Sequence, residues 1–409
     1  MLWHVFGIFI FCTIGRSESV ASDDTSQTLD LVMFSDAAGD DPLAICNDGT
    51  KGGYYFSTAI DEDQSDIFVI YLPGGGQCYD KDSCDSRADD MMSSKWFPSS
   101  QRVTGFLDSS PSKTPLWGAN KAYLGYCSSD GYMGDAAASD ATWGYNFRGQ
   151  RLVRAMVTAL IRDRNLANAT RIFMSGSSAG ARGMMTQIDL LAETLLPVSA
   201  QVIGLLDSPY YLDTVPYSSE FEGFQYQEQQ KFLYFNTTAI LSDECYNTYA
   251  PASDGWKCQF GQFRMPFVKT SYFIIASQYD SYQLGLLTQT EPEFYTEVTT
   301  QYAEDFGGMD RHQIRNLSLH SYCQDRDLTQ QQQQQQQQQE QAQQQQQRRG
   351  TGMEAEAGTI PVVTAIAPAA SASASASTSA SICATSSTSA VGILWMQVEI
   401  IETKETTWM

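Results

Sequence analysis

The chain contains 409 residues, of which 42% are hydrophobic, and 47 acidic against 25 basic side chains give it a net charge of −22. This length predicts one large domain or two ordinary ones, with enough apolar residues for a core. The charge argues against a nucleic-acid partner, because phosphate binding requires a cationic surface. No apolar run of 18 or more residues occurs after the N-terminus, so the sequence predicts no membrane span.

The N-terminus predicts secretion. Residues Val5–Ile14 form an apolar stretch followed by small and polar residues, which is typical of a secretory signal and too short to span a membrane. We therefore expect residues 1–21 to be a signal peptide, the alternative being a buried N-terminal strand.

The cysteine content agrees with an extracellular chain. Eight cysteines remain once Cys12 leaves with the signal, and an even number in a secreted protein suggests disulfides. The short loops Cys78–Cys84 and Cys245–Cys258 are the easiest to close, although spacing alone leaves the connectivity open. Three N-x-[ST] sequons would accept glycans if exposed, at Asn168, Asn236 and Asn316.

Apolar segments of strand and helix length alternate through the first three quarters of the chain. Predicted buried strands are Ile67–Leu72, Arg171–Met174, Val202–Leu206 and Tyr272–Ala276, and predicted helices are Arg148–Asn165 and Ala179–Leu196. Continuous apolar strands separated by helices indicate an α/β fold with a mostly parallel sheet and helices on both faces. Functional groups of such sheets lie at the carboxyl ends of the strands.

The composition changes near Leu328. Glutamine tracts between residues 330 and 347 are followed by an alternation of alanine and serine. Neither composition buries enough apolar surface to offset chain entropy. We therefore expect a single catalytic domain at residues 22–328 and a disordered, low-complexity tail at residues 329–409.

A G-x-S-x-G pentapeptide, Gly176–Gly180, places Ser178 between a predicted strand and a predicted helix. This context favours a nucleophile elbow over a structural turn. The strand Ile67–Leu72 runs into three glycines followed by Gln77. Backbone N–H groups of Gly75, Gly76 or Gln77, together with that of Ala179, would form an oxyanion hole.

The acid and the base of a catalytic triad are less clearly marked. Asp280 follows a strand and comes after the serine, as in the Ser…Asp…His order of α/β-hydrolases, and Asp207 is its rival. Of the histidines, His312 lies in a charged stretch typical of a solvated helix face. His320 is the better candidate for the general base that a serine nucleophile requires.

Several blocks together resemble the pectin acetylesterase family, which includes the Notum carboxylesterases. The matching blocks, in chain order, are Asp41–Thr50, Leu72–Cys78, Cys127–Asp130, Phe147–Gly149, Ser175–Gly180, Asp207–Ser208 and Tyr279–Ser281.

The resemblance implies an α/β-hydrolase-like serine esterase that removes O-acetyl groups from cell-wall polysaccharide without a cofactor or metal. It implies Ser178 as nucleophile, Asp280 as triad acid and an oxyanion hole of Gly76, Gln77 and Ala179. By the same resemblance we expect the disulfides Cys46–Cys127 and Cys78–Cys84.

The chain departs from the family pattern near the nucleophile. The family usually has tryptophan where Gln77 stands, which changes one wall of the acyl pocket. It usually has a second glycine where Ala181 stands, and Arg182 replaces a small residue nearby.

A further departure concerns the base. The family places its histidine in a Cys-x-x-His arrangement, whereas here Cys323 is followed at that spacing by Arg326, which stays protonated at neutral pH. Two explanations compete. The one we favour is that repeat expansion or a shifted reading frame altered the C-terminal end. The other is that His320 reaches the site from a displaced loop.

The leading hypothesis is therefore a secreted serine carboxylesterase acting on acetylated polysaccharide. A Notum-like esterase acting on a lipid acyl group is one alternative. A catalytically impaired relative that binds glycan or protein is another, and an interaction protein that works through its glutamine tract is a third.

Overall fold

The computed structural model describes residues 28–309, Gln313, and the backbone of residues 394–396. The strands are β1 (Thr28–Met33), β2 (Gly53–Ser57), β3 (Ile67–Leu72), β4 (Ser100–Arg102), β5 (Asn120–Leu124), β6 (Arg171–Ser177), β7 (Gln201–Asp207), β8 (Tyr272–Ser277) and β9 (Leu394–Met396). The helices are α1 (Lys81–Asp85), α2 (Gly149–Asp163), α3 (Ala179–Thr194), α4 (Phe224–Tyr234), α5 (Asp243–Tyr249), α6 (Gly261–Arg264), α7 (Ser281–Thr288) and α8 (residues 297–309).

The strands form one nine-stranded sheet in the order β4-β1-β2-β5-β3-β6-β7-β8-β9. The six strands from β5 to β9 in this order run parallel, and β2, β1 and β4 extend the sheet in antiparallel pairs. The predicted α/β class and the mostly parallel sheet are confirmed. The four predicted strands all form, and β6 continues three residues further than predicted, up to the nucleophile turn.

Alternate residues of β3 enter two different cores. Phe68 and Ile70 belong to a large core that includes the apolar residues of α2, α3 and α7, whereas Ile67 and Val69 face a smaller one. The smaller core is completed by residues of the segment 103–119, which contains only a short 3₁₀ turn. Both faces are therefore covered, as continuous apolar strands require. Beside β3, this segment covers the second face of the sheet.

Three disulfides join segments of the described chain: Cys46–Cys127, Cys78–Cys84 and Cys245–Cys258. The first two are the pairs implied by the family resemblance, and the third is one of the two short loops favoured by spacing. Cys46–Cys127 links the exit of β5 to the segment before β2. Cys78–Cys84 fastens the segment that follows the glycine run to α1.

The parallel pairing brings the predicted functional residues to one edge of the sheet. Ser177 lies opposite Asp207 in the register of β6 and β7, and Asp207 lies opposite Ile275 of β8. The glycine run leaves the neighbouring strand β3 at the same edge, because Leu72 pairs with Gly176. Strand order thus collects segments that are far apart in the chain.

Several predictions concern residues outside the described part of the chain. These are the signal peptide at residues 1–21, His312, His320, Asn316, the Cys323 to Arg326 segment and most of the tail. The tail residues described, β9, pair in parallel with Ile275–Ser277 of β8. Of the two sequons described, both asparagines, Asn168 and Asn236, are exposed. Among the described helices, none is long and apolar enough to cross a membrane.

Replacing both cysteines of the Cys46–Cys127 pair by serine should lower the free energy of unfolding by about 4.5 kcal/mol, because the crosslink closes a long loop in the unfolded chain. The same change at Cys78–Cys84 should cost only about 2.2 kcal/mol by the same relation, since its sequence separation is 6 rather than 81. Urea unfolding of both variants measures the difference. Equal losses would contradict the loop-length explanation.

Candidate active site

Ser178 occupies a strained turn between β6 and α3. Its φ of 49° and ψ of −122° lie in a sparsely populated region for a residue with a side chain. The turn is held because the Ser178 N–H donates to the carbonyl oxygen of Asp207 at 2.8 Å. Ser178 is also the residue before the first turn of α3, so the positive end of the helix dipole lies beside its hydroxyl.

The glycines of the pentapeptide are required by close backbone packing. A Cβ atom on Gly180 would lie 1.9 Å from the carbonyl oxygen of Leu72, and one on Gly176 would lie 2.7 Å from the backbone of Gly180. Gly74 approaches the nucleophile itself, since its Cβ would lie 3.2 Å from Cβ of Ser178. The nucleophile turn and the glycine run therefore pack backbone to backbone.

The glycine run is oriented by side chains that bind its carbonyl groups. Gly75 and Gly76 both have positive φ, 142° and 67°. Arg87 donates through Nη2 to the carbonyl oxygen of Gly75 at 2.7 Å, and the Tyr126 hydroxyl donates to that of Gly76 at 2.6 Å. Within residues 28–309, no acceptor binds the N–H groups of Gly76, Gln77 or Ala179. These groups remain available to a ligand oxygen, as an oxyanion hole requires.

Both acid candidates lie at carboxyl ends of neighbouring strands. Asp280 follows β8 and caps α7, because its Oδ1 accepts from the N–H of Gln283 at 2.8 Å. Burial raises the pKa of Asp280, the nearby Asp207 adds to the rise, and hydrogen bonds from Gln283 and Tyr282 oppose it. Asp207 instead binds Ser178 through its backbone and accepts from the Ser208 hydroxyl at 3.1 Å.

Ser178 and Asp280 are separated by one intervening strand, β7. Two strand spacings amount to about 10 Å, which leaves room for one imidazole ring between the hydroxyl and the carboxylate. The predicted base, His320, lies outside the described residues. Gln313 lies near this edge, because its Oε1 accepts from the hydroxyl of Tyr210 at 3.1 Å.

A buried aromatic residue, Tyr211, lies beside the nucleophile. Burial raises the pKa of its hydroxyl, while the Arg182 charge and a hydrogen bond with Ser178 oppose the rise. The Arg182 guanidinium stacks 4.3 Å from the centre of the Tyr211 ring. The charge of Asp280 also raises the pKa of Tyr211, so the Tyr211 hydroxyl lies near both the nucleophile and the acid candidate.

Gln77, Arg182, Glu228 and Lys231 form a polar cluster, referred to below as the Glu228 cluster. Oε1 of Glu228 lies 2.7 Å from Nε2 of Gln77 and 2.6 Å from Nη2 of Arg182. Nζ of Lys231 lies 3.0 Å from Oε2 of Glu228 and 2.7 Å from Oε1 of Gln77. Arg182, Glu228 and Lys231 are each at most 1% exposed.

The charges of the Glu228 cluster perturb one another strongly. Burial works to raise the pKa of Glu228, but Arg182 and Lys231 outweigh it and hold the pKa below its usual value. Burial lowers the pKa of Lys231 to about 8, against the attraction of Glu228. Two cations thus share one carboxylate beneath the glycine run.

Some residues of this site escape prediction from sequence. No sequence motif marks Arg87, Tyr126, Tyr211 or Glu228. The departures from the family pattern at Gln77 and Arg182 are a signal that could have pointed to Glu228, because both side chains contact it. Among the described residues, no group of three or more histidine, cysteine, aspartate or glutamate side chains is arranged to hold a metal ion.

Comparison with known proteins gives consistent matches. A family profile described as Pectinacetylesterase matches residues 22–360. The palmitoleoyl-protein carboxylesterase notum1a of Danio rerio is 32% identical over 250 residues, covering 58% of this chain and 49% of the relative. The palmitoleoyl-protein carboxylesterase NOTUM of Homo sapiens is 30% identical over 290 residues, covering 66% of this chain and 56% of the relative.

A solved structure has the same fold. The structure of the Wnt deacylase Notum from Drosophila superposes with a TM-score of 0.63 at 26% identity, covering 71% of this chain and 82% of that one. The chain spans about half the length of the curated relatives it matches. The share is 49% for notum1a of Danio rerio, 58% for notum2 of Xenopus laevis and 56% for NOTUM of Homo sapiens.

Substituting Gly180 by alanine should disrupt the site more than the addition of one methyl group suggests. The new Cβ would lie 1.9 Å from a backbone oxygen of β3, so either the glycine run or α3 must move. We expect loss of more than about 2 kcal/mol of stability, as for other overpacked buried positions, in thermal unfolding. Gly285→Ala is the matched control, since a Cβ there meets nothing within 4 Å. Equal stability of the two variants would contradict the packing.

Proposed function

Because the chain belongs to the pectinacetylesterase family, we propose that it is a serine carboxylesterase that hydrolyses acyl esters with Ser178 as nucleophile. The observation that carries this proposal is the strained turn of Ser178, which packs against the glycine run. The carbonyl groups of this run are bound by side chains, whereas its N–H groups have no acceptor within residues 28–309. Such preorganised donors stabilise the oxyanion of acyl transfer.

In the proposed mechanism, Ser178 Oγ attacks the ester carbonyl carbon as a histidine removes its proton. The carbonyl oxygen becomes an oxyanion that accepts from the N–H groups of Gly76, Gln77 and Ala179. The protonated histidine then donates to the departing alcohol, which leaves an acyl-enzyme. Water attacks this intermediate with the same histidine as base, and the carboxylic acid is released.

We assign the acid to Asp280 and the base to His320. Asp280 is supported by its position after β8, one strand beyond β7 from the nucleophile. His320 follows Gln313 by seven residues, which an extended chain covers in about 23 Å. Since Gln313 contacts Tyr210, next to Tyr211, His320 is within reach of Ser178 and Asp280. Asp207 is the weaker acid candidate because it lies on the strand directly beside the nucleophile strand and its carboxylate already accepts from the Ser208 hydroxyl.

The substrate we favour is an O-acetyl ester on cell-wall or extracellular polysaccharide. The family description supports an acetyl ester, and the polar Glu228 cluster beside the nucleophile supports a short acyl group. The three disulfides and the apolar N-terminal stretch support secretion. The relatives described as palmitoleoyl-protein carboxylesterases keep a lipid acyl ester as the second candidate.

Ser178→Ala should abolish hydrolysis of p-nitrophenyl acetate, with kcat lower by at least about 10³-fold, because no nucleophile remains. A fluorophosphonate probe should label the wild-type protein at Ser178 and leave the variant unlabelled. Hydrolysis that persists in the variant would exclude Ser178. A folded wild-type protein that the probe does not label would instead favour the catalytically impaired alternative.

His320→Ala should abolish both activity and fluorophosphonate labelling, because rapid labelling requires a base that activates the serine. His312→Ala, a change of the same size eight residues earlier, is the matched control and should retain both. If the two results are exchanged, His312 is the base. Retention of labelling in both variants would exclude both His312 and His320 as the base.

The acyl preference separates the two substrate candidates. For p-nitrophenyl esters of increasing acyl length, kcat/KM should be highest for acetate and fall by about tenfold or more at octanoate, because the polar Glu228 cluster beside the nucleophile offers a long acyl chain no apolar surface. A preference for octanoate would favour the lipid candidate.

A further inference from the structure

Two of the departures from the family pattern near the nucleophile meet at one carboxylate. Gln77 stands on the glycine run, and Arg182 stands on the first turn of α3, three residues after Ala179. Both donate to the same oxygen of Glu228, at 2.7 Å and 2.6 Å. The position of Gln77 relative to α3 is therefore fixed by a shared acceptor.

We propose that Glu228 is a positioning residue of the oxyanion hole. Its carboxylate links Gln77 on the glycine run to Arg182 on α3, and this link is called the clasp below. The hole requires N–H groups from Gln77 and Ala179 to converge on one point, yet these groups belong to separate elements. Glu228 joins those elements through their side chains, so it acts on the hole without touching substrate. This inference rests on the proposed esterase function.

The carboxylate is itself held rigidly by α4. Glu228 is 1% exposed, and its Oε2 lies 3.0 Å from Nζ of Lys231, one turn further along the helix. Its backbone carbonyl accepts from Nε2 of Gln259 at 2.8 Å. Charge-assisted hydrogen bonds in a buried site are short and directional, so displacing the acceptor would displace both donors.

Lys231 completes the clasp at the glycine run. Its Nζ donates to Oε1 of Gln77 at 2.7 Å, so both polar atoms of the Gln77 amide are used. An amide fits this position because it accepts from Lys231 and donates to Glu228 at once. An apolar side chain at residue 77 would leave Glu228 and Lys231 each without one partner.

The clasp is tested by two variants and one control. Gln77→Leu breaks the link at the glycine run while keeping the backbone N–H, and Glu228→Gln removes the shared charge. Arg264→Met is the control, because Arg264 is equally buried, at 1% exposure, and pairs at 3.6 Å with Asp189 on the distal half of α3.

In p-nitrophenyl acetate hydrolysis, both clasp variants should lower kcat by about tenfold to a hundredfold, less than the loss of a donor, with KM changed by less than about threefold. Their affinity for an aryl boronic acid, which forms a tetrahedral adduct on serine, should fall in parallel with kcat. Arg264→Met should keep both values. A loss of kcat as large in Arg264→Met would overturn the proposal, because the effect would then report general loosening of the fold.

Amide hydrogen exchange tests the same proposal without catalysis. In peptides covering residues 73–79, the protected amides are those of Cys78, which donates to the Ser129 carbonyl, and Tyr79, which donates to Ser83. They should exchange about tenfold faster in Gln77→Leu and Glu228→Gln than in the wild-type protein, and at the wild-type rate in Arg264→Met. Unchanged exchange in Gln77→Leu would overturn the clasp, even if Glu228→Gln fails to fold. A wild-type protein without esterase activity would remove the proposed function, whereas exchange would still decide whether Glu228 orders the glycine run.

Discussion

The structure depends on one close backbone contact, between Gly180 at the start of α3 and the end of β3. No side chain fits there, since a Cβ on Gly180 would lie 1.9 Å from the carbonyl oxygen of Leu72. The contact lets Ser178 and the glycine run share one edge of the sheet. The strain at Ser178 is sustained by the hydrogen bond from its N–H to Asp207, so strand order and turn geometry support each other.

A second constraint is electrostatic. The chain is strongly acidic overall, yet beneath the glycine run two buried cations share the carboxylate of Glu228. Breaking a buried pair leaves an uncompensated charge, so these side chains cannot vary independently. Gln77 and Arg182, separate departures in the sequence, therefore depend on the same carboxylate.

The local parts of the site were predictable from sequence. Ser178 is marked by a strand, a small-residue turn and a helix within a short segment, and the run of glycines by a strand exit. Buried strands are marked by continuous apolar residues, and the order of serine before Asp280 marks that residue as the candidate acid. Each of these signals lies in neighbouring residues, where backbone geometry and hydrophobicity alone select the structure.

Other features were decided only by tertiary structure. Gln77 and Glu228 are 151 positions apart, and no local pattern on α4 indicates that its buried carboxylate serves the glycine run. The coverage of the second sheet face by residues 103–119, and the use of the Asp207 backbone to hold Ser178, likewise depend on the strand order. The sequence by itself determined which residues have the side chains and local turns that the proposed ester hydrolysis requires. Only the fold decided which distant side chains hold them in position, because buried polar groups take whatever partners packing brings within hydrogen-bonding distance.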